Sequence, residues 1–233
     1  MRVTLATDPG TPGWPNEDFA AVGPGAAVLL DGATTFPRGA DTGCVHGVAW
    51  YARTLGSTFL ALLAASPVVP LPEALAAAIG EVRARHEHTC DLAHPATPAA
   101  TVTAVRAAGD GIDYLALSDS SIAADPAADG PPVMITDTHP AAKAAPDAAR
   151  LARTGTIPAA GLRGIALLSD GATRICDRYG LLSWSATLGV VRDYGPAELI
   201  RQVRAAEDSD PDAARWPRRK ARDDATVIYW RLG

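Results

Sequence analysis

Apolar and polar positions alternate along several short stretches of the chain, which predicts β-strands there. Short apolar runs that end in turn residues add further strands. The stretch ATVTAVRAAGDGIDYLALSDSSIAA, residues 100–124, contains two such runs around GDG, which is typical of a β-hairpin. Six other stretches have strand patterns: RVTLAT, EDFAAV, AAVLLDG, PPVMITDT, GIALLSDG and DATVIYWRL.

Other segments place apolar residues three and four positions apart, which predicts helices. The first covers about residues 42–65, and the second begins near Pro72, where proline suits a first helical turn. PDAARLART predicts a short helix, and SATLGVVRDYG and PAELIRQVRAAE predict two more.

The order of these elements predicts an α+β fold in one domain, residues 1–233. Most strands follow one another through hairpins, which favours an antiparallel sheet or β-sandwich flanked by α-helices. The chain has no internal repeat of fixed period and no clear linker between domains.

Composition narrows the partners that the chain is expected to have. Hydrophobic residues make up 48 % of the 233 residues, enough for a buried core, and the formal net charge is −5. A negative charge argues against nucleic acid or an anionic membrane as the main partner. The basic run RWPRRKAR, residues 215–222, is interpreted as a solvated face or a local anion site. The longest apolar stretch, residues 59–79, is interrupted by three prolines and a glutamate, so no membrane-spanning segment is predicted.

The cysteines and the N-terminus suggest a cytoplasmic protein. Cys44, Cys90 and Cys176 are scattered and odd in number, so we expect no disulfide framework and a reducing compartment. The first ten residues lack the basic and apolar regions of a signal peptide.

Acidic residues lie repeatedly at the ends of the predicted strands. An Asp-Gly pair follows an apolar run twice, at residues 31–32 and 170–171. Carboxylates that converge at strand ends repel one another unless a cation neutralises them, and hard oxygen ligands favour Mg²⁺ or Mn²⁺ over zinc. The acidic residues at such positions are Glu17, Asp18, Asp31, Asp119, Asp170, Asp223 and Asp224.

The order of these motifs resembles the metal-dependent Ser/Thr protein phosphatases of the PPM (type 2C) family over nearly the whole chain. IALLSDGATRI is similar to the family's LxSDGL segment and RDDATVIYW to its closing DNxTVV. NEDFAAV resembles the opening NED motif and VLLDGATTF the DGMGG segment. PAATVTAV and YLALSDSSIAA resemble the GTT and GDSR strands.

The resemblance implies a central β-sandwich with helices outside, in four layers α-β-β-α, and a two-metal centre at one end. It implies that Asp31 bridges both cations and that the Gly32 carbonyl binds one of them. Asp170 and Asp223 would bind the other.

The remaining acidic positions receive lesser roles from the same resemblance. Asp18 and Glu17 would hold metal-bound waters, and Asp119 matches the residue that helps to bind a third, weaker cation. Asp224 lies where the family often has asparagine, so it ranks below Asp223.

The activity implied is hydrolysis of phosphoserine or phosphothreonine in a protein substrate, by a monomer that uses two, or with a third site three, Mg²⁺ or Mn²⁺ ions. Two divalent ions lower the pKa of a bridging water and stabilise charge on the phosphoryl oxygens. No phosphoenzyme is required.

The sequence departs from the family pattern at the substrate side. Many members carry an arginine three residues before the asparagine of NED to clamp the substrate phosphate, and Gly13 occupies that position here. Arg38 or Arg222 are candidates to replace it. ATT follows Asp31-Gly32 where the family has MGG, and SDSS replaces GDSR. These changes leave two alternatives open: a pseudophosphatase that acts as a regulatory binding module, and a phosphatase of a small phosphorylated metabolite.

Other chemistries fit the sequence less well. His86, His88, Cys90 and His94 lie close together as a zinc set would, but residues two apart do not share a helical face, so a polar helix end is preferred. The chain contains no Gly-x-Ser-x-Gly elbow of a Ser-His-Asp hydrolase.

Overall fold

The computed structural model describes residues 2–33, 41–128, 130–139 and 145–232. Strands and helices follow in this order: β1 Arg2–Asp8, β2 Phe19–Gly23, β3 Ala26–Leu30, β4 Gly32–Ala33, α1 Val48–Ala65, α2 Leu71–His86, β5 Ala99–Ala100, β6 Val102–Ala108, β7 Gly111–Leu117, β8 Ser121–Pro126, β9 Val133–Ile135, a 3-10 helix Pro146–Leu151, β10 Arg153–Pro158, β11 Leu162–Leu168, α3 Asp170–Asp177, α4 Trp184–Tyr194, α5 Pro196–Asp208 and β12 Ala225–Arg231.

Two antiparallel sheets of five strands form the centre of the fold. One has the strand order β1-β12-β11-β8-β9 and the other β10-β7-β6-β3-β2, while β4 and β5 form a small separate pair. The predicted mixed fold of antiparallel sheets and helices is therefore confirmed. The hairpin predicted around GDG joins β6 to β7, with Ala108 opposite Gly111.

The buried side chains divide the molecule into layers. Successive residues of a strand point to opposite faces of its sheet. On β3, Ala27 and Leu29 pack against side chains of the sheet that contains β11 and β12, whereas Val28 and Leu30 pack against α1 and α2. The outward-facing residues of β11 and β12 pack against α3, α4 and α5. This explains why central strands such as β3 and β12 contain uninterrupted apolar runs, since they are covered on both faces.

Three elements differ from the sequence expectation. Helix α1 begins at Val48 rather than near residue 42, because Gly43 has a φ of 64° and Gly47 is extended at the helix N-cap. The strand β10 was not predicted, since most of its residues are exposed and its sequence RTGTIP has no apolar alternation. Asp170 opens helix α3, where we expected only the end of a strand.

Cys44 and Cys90 form a disulfide, so the expectation of unpaired cysteines is wrong for this pair. They are 46 positions apart, with α1 and α2 between them. The segment before α1 meets the loop after α2 in an isolated β-bridge, and the Asp91 N–H donates to the Gly43 carbonyl. Sequence spacing alone could not show this approach. Cys176 is unpaired and contacts the Thr187 hydroxyl.

Helix α1 has the length and apolar composition of a membrane-spanning helix. One such helix is weak evidence, since a core helix shares these properties. Here its buried side chains, including Tyr51, Leu55 and Phe59, pack in the cluster between the helices and the sheet.

Candidate metal centre

One cavity of about 1330 Å³ collects the acidic residues at one end of the sandwich. Each comes from a different segment, before β2, after β3, after β7, at the start of α3 and before β12. The predicted site residues that line it are Glu17, Asp31, Gly32, Asp119, Asp170, Arg222 and Asp223. Residues more than 200 positions apart in sequence thus share one cavity.

Backbone hydrogen bonds fix Asp31 at the end of the fully buried strand β3. Its N–H donates to the Thr101 hydroxyl at 3.2 Å, and its carbonyl accepts from the Thr101 N–H at 2.8 Å. The next N–H, of Gly32, donates to the Glu17 carbonyl at 3.1 Å. A Cβ at Gly32 would lie 2.7 Å from that carbonyl, so only glycine permits this approach.

The Asp31 carboxyl is surrounded by other carboxyl groups, and its pKa is raised. Burial raises its pKa well above the usual value, and the charges of Asp18, Asp170, Asp223 and Asp119 raise it further. Four other carboxylates are therefore close enough to act on Asp31. An ionised Asp31 requires a positive charge that these neighbours do not supply.

Asp18, unlike the residues above, does not line the cavity, and both of its carboxyl oxygens are buried. Burial raises its pKa to about 7, although the hydroxyls of Thr226 and Ser169 offset part of this effect. The charges of Asp224 and Asp170 raise the pKa as well. Within the described part of the chain, neither oxygen has a hydrogen-bond partner of normal geometry. Two such oxygens are costly to bury unless something else binds them.

The two aspartates that precede β12 have different surroundings. Asp224 accepts hydrogen bonds from the Gly10 N–H and the Glu17 N–H, both at 2.7 Å. It therefore ties the N-terminal segments to the C-terminal strand, a structural role consistent with its lower rank.

Asp223 instead forms ion pairs with two cations. Arg174 contacts one carboxyl oxygen at 2.6 Å and Lys220 the other at 2.7 Å. Arg174, one turn after Asp170 on α3, also pairs with the buried Glu207. Asp170 itself has a raised pKa because of burial and the charge of Asp223, which Arg174 partly offsets.

Basic residues line the same cavity; of these, only Arg222 was predicted individually, and the run RWPRRKAR was interpreted as a solvated face or a local anion site. The basic lining residues are Arg174, Arg178, Arg218, Arg219, Lys220 and Arg222. Four of the six come from the basic run RWPRRKAR, whose position directly before Asp223 was the available clue. Arg222, a predicted phosphate ligand, lines the cavity and hydrogen-bonds with Asp208. Arg38, the other candidate, lies outside the described residues.

The clustered histidines do not gather around a metal. Cys90 is in the disulfide, so its sulfur is not a thiolate. The His86 ring is buried, and its Nδ1 lies 2.6 Å from the Val82 carbonyl. His94 Nδ1 accepts from the Ala96 N–H. The preferred interpretation, a polar helix end and loop, agrees with these contacts.

Comparison with known proteins identifies the family. Residues 11–204 match the sequence profile described as Protein phosphatase 2C. The chain therefore belongs to the protein phosphatase 2C (PPM) family of serine/threonine phosphatases. No curated protein matches the chain at a significant level.

Solved structures of the family have the same fold. The Mycobacterium tuberculosis serine/threonine phosphatase PstP/Ppp is 18 % identical with a TM-score of 0.66, covering 99 % of this chain and 98 % of that one. The PPM Ser-Thr phosphatase MsPP from Mycobacterium smegmatis, in complex with cacodylate, is 18 % identical with a TM-score of 0.65, covering 100 % and 99 %. The PstP catalytic domain in complex with two manganese ions is 17 % identical with a TM-score of 0.62, covering 99 % and 97 %.

The residues of the cavity fit a divalent cation by their chemistry. Within the described ranges, no three carboxylate, imidazole or thiolate side chains are arranged as a ready-made metal site. Asp223 is engaged by Arg174 and Lys220 instead. The donors nevertheless are hard oxygens, and the buried oxygens of Asp18 lack partners, which suits Mg²⁺ or Mn²⁺.

Proposed function

We propose that this protein is a metal-dependent phosphoserine/phosphothreonine protein phosphatase with two Mg²⁺ or Mn²⁺ ions. The observation that carries the proposal is the half-buried Asp31 carboxyl, which lines the cavity together with carboxylates from distant segments. Family membership supports a phosphatase, and the carboxylates support the dependence on metal. A cytoplasmic location and a monomeric state remain our expectations, although the Cys44–Cys90 disulfide removes the cysteine argument for a reducing compartment.

The proposed ligands are the side chains that the cavity brings together. Asp31 would serve both ions and the Gly32 carbonyl one of them, while Asp170 and Asp223 would hold the other. Asp18 and Glu17 would act through water. Asp119, exposed at the rim, would serve a weaker third ion. When bound, the ions would supply Lewis acidity toward water and toward the phosphoryl oxygens.

The protein's own groups would hold the carboxylates in place and attract the substrate. The buried strand β3 and the Thr101 contacts hold Asp31 in place. Arg178 and Arg219 line the cavity without a carboxylate partner among the described residues, and their charges would attract a phosphorylated side chain. The Asp224 contacts hold Glu17 against the C-terminal strand.

A phosphatase assay tests this proposal directly. The full chain is incubated with p-nitrophenyl phosphate and with phosphoserine and phosphothreonine peptides, with Mn²⁺, with Mg²⁺ and with EDTA. Turnover that requires the metal and is lost in EDTA is expected. Absence of turnover on every substrate with either ion would contradict the enzymatic proposal.

A pseudophosphatase is the second candidate, and the two ion pairs of Asp223 favour it. Two internal cations already neutralise a proposed metal ligand. Metal binding by calorimetry without turnover on any phosphopeptide would support this alternative.

Replacing Lys220 with methionine is expected to tighten Mn²⁺ binding about tenfold. Burial lowers the pKa of Lys220, but the hydrogen bond and charge of Asp223 raise it overall, so the side chain is a cation that competes with the metal. Removing a competing charge near the surface is worth about 1 kcal/mol or somewhat more, close to tenfold in affinity. Isothermal titration calorimetry measures the change, and Lys220→Arg, which keeps the charge, is the control. An unchanged affinity in Lys220→Met would show that Lys220 does not compete.

A further inference from the structure

Six cations line the cavity, and their contacts differ in a way that singles out one of them. Arg174 and Lys220 pair with Asp223, and Arg222 pairs with Asp208. Arg218 pairs with Asp210 at 2.7 Å. The charges of these four residues are therefore largely neutralised within the protein.

Arg219 differs, since it has no carboxylate partner among the residues that the structure describes, and it is exposed at the cavity wall. Arg178 also lacks a carboxylate partner among the described residues, but its guanidinium is engaged because it donates a hydrogen bond to the Pro217 carbonyl at 2.8 Å. Gly10, Thr11 and Pro12, which also line the cavity, bring no charge. We propose that Arg219 binds the phosphate group of the substrate. The inference depends on the proposed phosphatase function and adds a substrate-binding residue to it.

The backbone around Arg219 is held on both sides, so its position is fixed. On the N-terminal side, the Asp210 carboxylate accepts from the N–H groups of Arg215 and Trp216 and from the Arg218 side chain. On the C-terminal side, the Lys220 carbonyl accepts from Arg174 at 3.5 Å and the Ala221 carbonyl from Arg218 at 2.9 Å.

A fixed backbone and a free guanidinium suit phosphate recognition. The planar guanidinium donates two parallel hydrogen bonds to phosphoryl oxygens, whereas lysine offers only a point charge. A group that binds the phosphate equally before and during the reaction affects KM and leaves kcat largely unchanged. Hydrogen bonds to charged groups contribute about 1.5–3 kcal/mol each, which corresponds to about 10- to 100-fold in binding.

The test compares Arg219→Ala and Arg219→Lys with the wild-type protein in two measurements. The first is steady-state kinetics on a phosphothreonine peptide and on p-nitrophenyl phosphate with Mn²⁺. The second is calorimetric binding of inorganic phosphate in the presence of Mg²⁺, which requires no turnover. Arg85→Ala, on the exposed face of α2, removes the same charge far from the cavity elements and is the control.

We expect Arg219→Ala to raise KM for both substrates about 10- to 100-fold and to weaken phosphate binding by a similar factor, with kcat little changed. Arg219→Lys should recover part of the loss, and Arg85→Ala should behave as wild type. Unchanged phosphate affinity in Arg219→Ala overturns the inference. So does a loss confined to the peptide, because Arg219 would then bind flanking residues. Wild-type protein that binds phosphate through Arg219 but turns over no substrate would contradict the proposed function alone.

Discussion

Replacing Asp31 with asparagine is expected to reduce metal-dependent phosphatase activity roughly 1000-fold, because this carboxyl is the proposed bridge between two cations. Lewis-acid stabilisation by bound metal contributes several kcal/mol to a transition state, and each 1.4 kcal/mol is tenfold in rate. The measurement is kcat/KM on a phosphopeptide with saturating Mn²⁺, together with Mn²⁺ affinity by calorimetry. Both should fall.

The same substitution is expected to stabilise the metal-free protein. Burial and neighbouring carboxylates raise the pKa of Asp31, so its folded state favours the neutral form. A group with a raised pKa contributes stability below its unfolded pKa of about 4, and this stability is lost as pH rises through the folded pKa. Ionisation of Asp31 is therefore opposed in the folded protein but not in the unfolded chain, which costs stability at neutral pH, and asparagine removes that cost because it does not ionise. Thermal unfolding in EDTA should show a higher midpoint for Asp31→Asn at pH 7 than for wild type.

Asp113→Asn is the matched control because the pKa of Asp113 is lowered by its surroundings, whereas the pKa of Asp31 is raised. Asp113 lies on β7 and contacts Arg106 and Thr156. Burial raises its pKa, but these contacts lower it below the usual value overall, so its charge is stabilising. We expect Asp113→Asn to keep full activity and to lose some stability. An Asp31→Asn protein that retains activity and Mn²⁺ affinity would show that Asp31 is not a metal ligand.

The alternation of apolar residues carried most of the fold prediction. Strands such as β3 and β12 are covered on both faces, so their continuous apolar runs mark them clearly. The edge strand β10 is mostly exposed and contains Gly155 and Pro158, and a half-solvated strand of this kind has no apolar pattern to detect.

The acidic part of the cavity was predictable because each carboxylate lies at the end of a detectable strand. The order of the motifs then gave the family. The basic lining of the cavity was predictable only in part, because its function depends on the partners of each cation, and those partners are distant in sequence. Arg222 pairs with Asp208 and Arg218 with Asp210, whereas the adjacent Arg219 has no such partner in the part of the chain that the structure describes. The disulfide was missed for the same reason.

Replacing Gly171 with alanine is expected to reduce activity about 100-fold although no metal ligand changes. Gly171 lies in the first turn of α3, directly after Asp170. An added Cβ would overlap with the Asp224 carbonyl oxygen and would lie 3.2 Å from the Asp223 Cβ. Both are parts of the segment that carries a proposed ligand, so α3 and this segment must move apart. A displacement of about 1 Å in a catalytic group costs about 100-fold in rate.

The effect on stability should also be destabilising, despite the helical position. Alanine in place of glycine favours a helix by up to about 1 kcal/mol, but inserting atoms into a packed backbone contact costs about 1–3 kcal/mol. Gly80→Ala in α2 separates the gain in helix propensity from the cost of overpacking, since an added Cβ there meets nothing within 4 Å. We expect Gly80→Ala to gain about 0.5–1 kcal/mol with unchanged activity. Urea unfolding, Mn²⁺ affinity and kcat/KM measured on both variants check this. If Gly171→Ala matches Gly80→Ala in all three, the close packing of α3 against Asp224 does not hold the carboxylates of Asp170 and Asp223 in place.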